Sequence, residues 1–164
     1  MARWLWLSAL VVVSDQLTKW LAGAMLAPHR PVPVVPYVNL TLMFNEGAAF
    51  SFLAGAGGWQ RWAFAGFAVV MTIVLVLWLV RLRAHERLMA AAIALIIGGA
   101  VGNLIDRVLI GKVVDFIQVY LPFIPLRMFN PWPAFNVADS AITIGVVLLL
   151  LASLRADAEM KRTA

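Results

Sequence analysis

Apolar residues fill this chain in four long blocks, and few polar residues interrupt them. The first block runs from Trp4 to Leu26 and is broken by Asp15, Gln16, Thr18 and Lys19. The second, Trp62 to Val80, is apolar apart from Thr72. The third, Leu88 to Leu109, carries Gly98, Gly99 and Gly102, then Asn103, Asp106 and Arg107. The fourth, Val137 to Leu154, opens on Ala138, Asp139 and Ser140. Each block holds about 20 residues, the number an α-helix needs to cross a bilayer. The pattern therefore predicts membrane-spanning helices over about 4–26, 62–80, 88–109 and 137–154.

Between the first two blocks the period changes. Pro28, Pro31, Pro33 and Pro36 end the first helix and bar another until about Tyr37. From there Val38, Leu40, Leu42 and Phe44 alternate with Asn39, Thr41 and Met43. That is the pattern of a strand with one polar face. Asn45-Glu46-Gly47 is a turn signal, and the strand region is expected over about 37–53. Gly111 stops the third helix. Val113 to Tyr120 is a short apolar run carrying Asp115, and 121–135, rich in Pro and aromatics, reads as a loop lying in the membrane interface. No internal repeat is visible. The expected fold is one α-helical integral membrane domain over 1–164: four transmembrane helices, a small extracytoplasmic β-sheet region and an interfacial loop.

Composition strengthens this reading. The 164 residues are 63% hydrophobic and 13% charged, with mean hydropathy +0.92. A soluble domain is nearer half apolar and a quarter charged. The absence of Cys excludes disulfides, thiol nucleophiles and thiolate metal sites. His29 and His85 lie in loop-like stretches away from the aspartates, which argues against a His-based triad or metal site. Arg3, the Arg81/Arg83/Arg87 loop and the C-terminal Arg155, Lys161 and Arg162 fall on one side of the membrane. Arg30, Arg61, Lys112 and Arg127 fall on the other. The positive-inside rule then puts both termini in the cytoplasm. The net charge of +5 needs no nucleic acid to explain it. Arg3 and the apolar run after it resemble a signal peptide, with Ala22-Gly23-Ala24 as a cleavage site; the polar residues from Asp15 to Lys19 argue for a retained anchor helix.

The aspartates are what packing explains least. A charged side chain at mid-bilayer costs about 2.5–3.5 kcal/mol on insertion scales. Each also has a structural reading. Asp15 and Lys19 are four apart on one helical face and can neutralise each other. Asn103, Asp106 and Arg107 share a face; either an Asp106–Arg107 pair closes the helix end, or this face points at the same polar site as Asp15. Asn136 suits an N-cap with Asp139 three residues on, close to a capping box. The functional reading joins Asp115 and Asp139, which this topology puts at the same membrane face. Two carboxylates sharing one proton can activate water and protonate a leaving amine. A Ser–Lys dyad is the competing hydrolase, from Ser14, Ser51 or Ser140 with Lys19 or Lys112. An Asp/Asn metal site lacks the usual clustering on one loop. A small proton-coupled transporter or channel would use the same residues as relays, with one aspartate at mid-span. A non-catalytic membrane assembly factor would use them for structure alone.

The sequence resembles the bacterial lipoprotein signal peptidases, the type II signal peptidases. Five motifs carry the resemblance, in the family's order: Asp15-Gln-Leu-Thr-Lys19, Asn45-Glu-Gly-Ala-Ala-Phe-Ser51, Gly98-Gly-Ala-Val-Gly-Asn-Leu-Ile-Asp-Arg107, Val113-Val-Asp-Phe116 and Phe135-Asn-Val-Ala-Asp-Ser140. The resemblance implies an aspartic endopeptidase of the bacterial inner membrane, multi-pass, with its active site near the periplasmic face. It would need no cofactor or metal. Its partners would be diacylglyceryl-modified prolipoproteins, cut before the lipid-modified Cys, and membrane lipids. A monomer is expected. By motif match, Asp115 and Asp139 become the catalytic dyad. Asp15, Lys19, Asn45, Gly99, Asn103, Arg107, Asn136 and Ala138 become the substrate-binding and supporting set. The stretch from Phe129 to Pro133 reads as part of an insertion.

Overall fold

A computed structural model of the chain describes residues 1–47, 57–123 and 130–163, with only the backbone of 156–163. A 3-10 turn, Ala2–Trp4, leads into α1 (Leu5–Met25); α2 (Trp59–Arg81), α3 (Arg87–Leu109) and α4 (Val137–Thr163) follow. Strands β1 (Val32–Val35) and β2 (Val38–Asn45) lie between α1 and α2, and β3 (Val113–Val119) lies between α3 and α4. The expected residues 48–53 of the strand region, Ser51 among them, and 124–129 of the loop lie outside the described residues. Among the described residues, three helical stretches are long and apolar enough to cross a membrane: α2, α3 and the part of α4 from Val137 to Arg155.

α1 is less apolar because it is built inside out. Its buried face is Ser8, Val11, Asp15, Lys19 and Ala22, spaced three to four apart. Its exposed stripe is Trp6, Leu10, Val13, Leu17 and Trp20. Such a helix turns its apolar stripe outward and its charged stripe toward its neighbours, the arrangement expected in lipid.

α3 is the central helix, packed against α1, α2 and α4. Its glycines set two separate seams. A Cβ at Gly98 would meet Val11 Cβ at 2.7 Å, and one at Gly102 would meet Asp15 Oδ2 at 2.7 Å. On the other side, a Cβ at Gly99 would collide with the Ala138 carbonyl oxygen and meet Ile142 Cγ1 at 2.7 Å. Small residues let helix backbones approach this closely. α2 packs against α3 through Leu75 and Leu79, beside Ala90, Ile93 and Ile97. Arg61, read above only as a charge on the outer side, does more. Its Nε donates to the Arg107 carbonyl at 2.6 Å and its Nη2 to the Val108 carbonyl at 2.7 Å, capping the end of α3.

The sheet is antiparallel in the order β1-β2-β3. The prolines were expected to bar a helix until about Tyr37, and the strand region to begin there. Instead Val32–Val35 is an edge strand with Pro33 inside it, where a missing N–H is tolerated. β3 was expected only as an apolar run; it pairs with β2 so that Met43 faces Asp115 and Asn45 faces Val113. Its far edge is taken as well. Phe135 N–H donates to the Ile117 carbonyl at 2.9 Å, its carbonyl accepts Phe116 and Ile117 N–H, and Trp132 N–H donates to the Val119 carbonyl at 2.7 Å. The chain leaving this edge enters α4 directly at Asn136.

Candidate active site

α4 begins with a reciprocal cap. Asn136 Oδ1 accepts the Asp139 N–H at 2.9 Å, and Asp139 Oδ2 accepts the Asn136 N–H at 3.2 Å. This is the capping-box geometry the spacing suggested. It occupies only one oxygen of Asp139. The other, Oδ1, accepts Asn103 Nδ2 at 2.8 Å. Structural and functional readings of Asp139 are therefore not alternatives: the cap aims the carboxylate.

Asn136 reaches further. Its Nδ2 donates to Asp115 Oδ1 at 2.7 Å, with Asn103 Oδ1 at 3.1 Å and the Val114 carbonyl at 3.2 Å also in range. One fully buried side chain thus touches the two aspartates, one through its amide and one through the cap. Asp115 is buried and Asp139 half-buried. Burial first, and then the charge of Asp139, push the Asp115 carboxyl up to about 7. Hydrogen bonds from Asn45 and Asn136 and the Lys19 charge act the other way.

The aspartates form part of the wall of a cavity of about 590 Å³. Asn45, Asn103 and Arg107 add the other polar groups, and Phe44, Trp132, Phe135 and Ile142 supply apolar wall. Asn45 ends β2 and its Oδ1 accepts the Gly47 N–H at 3.0 Å, a local turn that fixes it at the rim. Arg107 lies over the Phe64 ring at 5.6 Å, with the Asn103 and Gly47 carbonyls at 3.3 and 3.4 Å. The Asp106–Arg107 pair, one of the two readings of this face, does not form. The spacing puts both on one face of α3, but Asp106 finds Lys19 instead, at 2.9 Å.

The remaining motif residues stand behind the cavity. Lys19 donates to Asp15 at 2.8 Å, to Asp106 and to Asn103 Oδ1 at 2.9 Å, which uses all three ammonium protons. Because Lys19 holds the oxygen of Asn103, its amide nitrogen is the end that faces Asp139. Asp15 Oδ1 accepts the Ala138 N–H at 2.9 Å. Gly99 and Ala138 touch no open space; they are the seam between α3 and α4. Two polar residues of this cluster were left out of the expected site, Asp106 and Gln16. Gln16 Nε2 lies within 2.9 Å of Asp106 Oδ1, 3.1 Å of the Gly102 carbonyl and 3.2 Å of Asp15 Oδ2. The signal was there: a Gln beside Asp15 inside an apolar span, and an Asp three residues after Asn103.

The competing chemistries find no matching geometry among the described residues. Lys19 touches no serine, Ser140 Oγ donates to the Asn136 carbonyl, and Lys112 lies over the Phe44 ring at 4.0 Å. No three His, Cys, Asp or Glu side chains gather as a metal site there. Asp139 is the third residue of α4 and Asp115 lies on a strand, so neither of this pair is at mid-span; Asp15, in the middle of α1, is taken up by Lys19 and the Ala138 N–H.

Comparison with known proteins points the same way. The model of the family described as signal peptidase II matches residues 7–155. A protein of Acinetobacter baylyi named lipoprotein signal peptidase is 52% identical over 148 residues, covering 90% of this chain and 79% of that one. A lipoprotein signal peptidase of Ectopseudomonas mendocina is 50% identical over 162 residues, covering 98% and 93%. A solved bacterial membrane enzyme superposes with a TM-score of 0.83 at 33% identity, covering 97% of this chain and 92% of that one.

Proposed function

We propose, from the premise that the chain belongs to the signal peptidase II family, that it is a membrane protease removing the signal peptide from lipid-modified prolipoproteins, and that it works by an aspartic mechanism. The observation that carries the mechanism is the placing of Asp115 and Asp139 in one cavity wall, tied together by Asn136. Asp115 is the more deeply buried of the two and its carboxyl is pushed up to about 7, so the shared proton is assigned to it. Asp139 takes a proton from water as that water attacks the scissile carbonyl, while Asp115 gives its proton to the carbonyl oxygen. In the second step the protonated Asp139 gives its proton to the amide nitrogen, the gem-diol returns one to Asp115, and the C–N bond breaks. Both carboxyls end as they began, with one proton between them.

The cut falls before the diacylglyceryl-modified Cys of the substrate. The β3 edge beside Asp115 is already paired, to Asp106 at Val114 N–H and to Phe135 at Phe116 and Ile117 N–H. That supports a substrate lying in the groove rather than adding as a strand. The protein sits in the bacterial inner membrane with both termini in the cytoplasm and the cavity near the periplasmic face, bordered by lipid, and it acts as a monomer.

Incubating the purified protein with a diacylglyceryl-modified preprolipoprotein tests the reading. Wild type shortens it. Asp115→Asn and Asp139→Asn each fold and bind but do not cleave, because an amide cannot exchange the proton. The double variant is no worse than either single one. Near-wild-type turnover by a folded Asp139→Asn protein would bring a non-aspartic mechanism forward.

A further inference from the structure

The carboxylates that hold Lys19 also reach the backbone next to each proposed catalytic aspartate. Asp15 Oδ1 accepts the N–H of Ala138, the residue before Asp139, at 2.9 Å. Asp106 Oδ2 accepts the N–H of Val114, the residue before Asp115, at 3.0 Å. Lys19 Nζ lies 2.8 Å from Asp15 and 2.9 Å from Asp106, so one buried ammonium ties the two attachments together. In an antiparallel strand the N–H and C=O of one residue point to the same side. At Val114 both point away from β2, the N–H to Asp106 and the C=O to Asn136 at 3.2 Å. The strand edge that carries Asp115 is therefore fixed here by side chains of α3 and the α4 cap.

We propose that Asp106 is a positioning residue: through the Val114 N–H and its ion pair with Lys19 it sets where Asp115 stands relative to Asp139. This rests on the dyad reading above. Gln16 supports Asp106 from the opposite side. Its Nε2 reaches Asp106 Oδ1 at 2.9 Å from the wall of a second cavity of about 470 Å³, which Lys19 and Asp106 also line.

The test uses the full chain in detergent, with Asp106→Leu, Asp106→Asn and Gln16→Leu assayed on a diacylglyceryl-modified preprolipopeptide. Asp106→Leu is expected to lower kcat about 10- to 100-fold, as small misplacements of reacting groups do. KM stays within about two-fold, since binding contacts are untouched. The alkaline limb of the rate profile moves toward the ordinary carboxyl range as Asp115 leaves Asp139. Asp106→Asn keeps an oxygen for Val114 N–H and recovers most of the rate. Amide exchange at Val114, which reads the hydrogen bond without catalysis, speeds up in Asp106→Leu while Ala138 stays protected. Wild-type kcat with an unmoved pH limb, or unchanged protection at Val114, overturns the proposal. If Asp106→Leu does not fold, Gln16→Leu decides: a kcat about three-fold lower with a pH shift of the same sign is expected, and no change in either overturns it. Asp115→Asn and Asp139→Asn run beside them. If those cleave, the dyad reading fails; if they are inactive while Asp106→Leu behaves as wild type, only the positioning role fails.

Discussion

At the scale of single residues, Asp115 gives the most direct prediction. Its carboxyl is held at about 7 by burial and by Asp139, against about 3.9 in an unfolded chain. Between those values the native state binds more protons than the unfolded one. Stability therefore falls as pH rises from about 4 to about 7 and levels off above. A melting-temperature series should show that slope, and Asp115→Asn should lack it; the same slope in both proteins would place the proton elsewhere. Cleavage should decline along an alkaline limb near the same pH, where the pair gives up its shared proton. Asn45 bonds Asp115 from the rim, whereas Asn39 pairs with Gln118 and Pro33 within the sheet. Asn45→Ala should accordingly weaken cleavage more than Asn39→Ala, and equal losses in initial rate would make Asn45 a strand residue only. Single residues were also where the sequence was hardest to read. The i, i+4 spacing of Asp15 and Lys19 showed their pair. The partner of Asp106 lay on another helix, and adjacency to Arg107 suggested the wrong one, because a charge inside a bundle is settled by which helix arrives opposite it.

At the scale of elements, hydropathy was a good guide to the helices because a bilayer imposes length and apolarity together. The helices seen begin and end within a few residues of those expected, except that α4 continues to Thr163. Strands were less legible. β2 showed its alternation. β1 was hidden by its prolines and β3 by its near-continuous apolar run, since burial pattern depends on partners the local sequence does not name. The glycine seam between α3 and α4 offers a test at this scale. Gly99→Ala would press a methyl into the Ala138 carbonyl oxygen and Ile142, a kind of overpacking that costs about 1–3 kcal/mol. Gly66→Ala on α2 meets nothing within 4 Å. The first should lower the melting temperature and the second should not. Equal melting curves would mean the seam yields without strain.

At the scale of the whole molecule, the asymmetry of Lys and Arg predicts which side each loop faces. The chain has no Cys, so a single introduced thiol reports cleanly. In intact cells a membrane-impermeant reagent should reach Val34→Cys but neither His85→Cys nor Thr163→Cys; outside labelling at position 163 would invert the orientation. One consequence of the inward-facing charges of α1 concerns how the protein is made. Lys19 and its partner Asn103 are 84 residues apart in the chain, so α1 is synthesised long before α3 exists to receive it. Of the two carboxylates that hold Lys19, Asp15, four residues away, is the one already made in that interval. The first helix must wait at the insertion machinery or in lipid as a self-paired but incompletely satisfied segment. Biogenesis is then committed only when the third helix emerges, and a nascent chain stalled before α3 should be a substrate for membrane quality control.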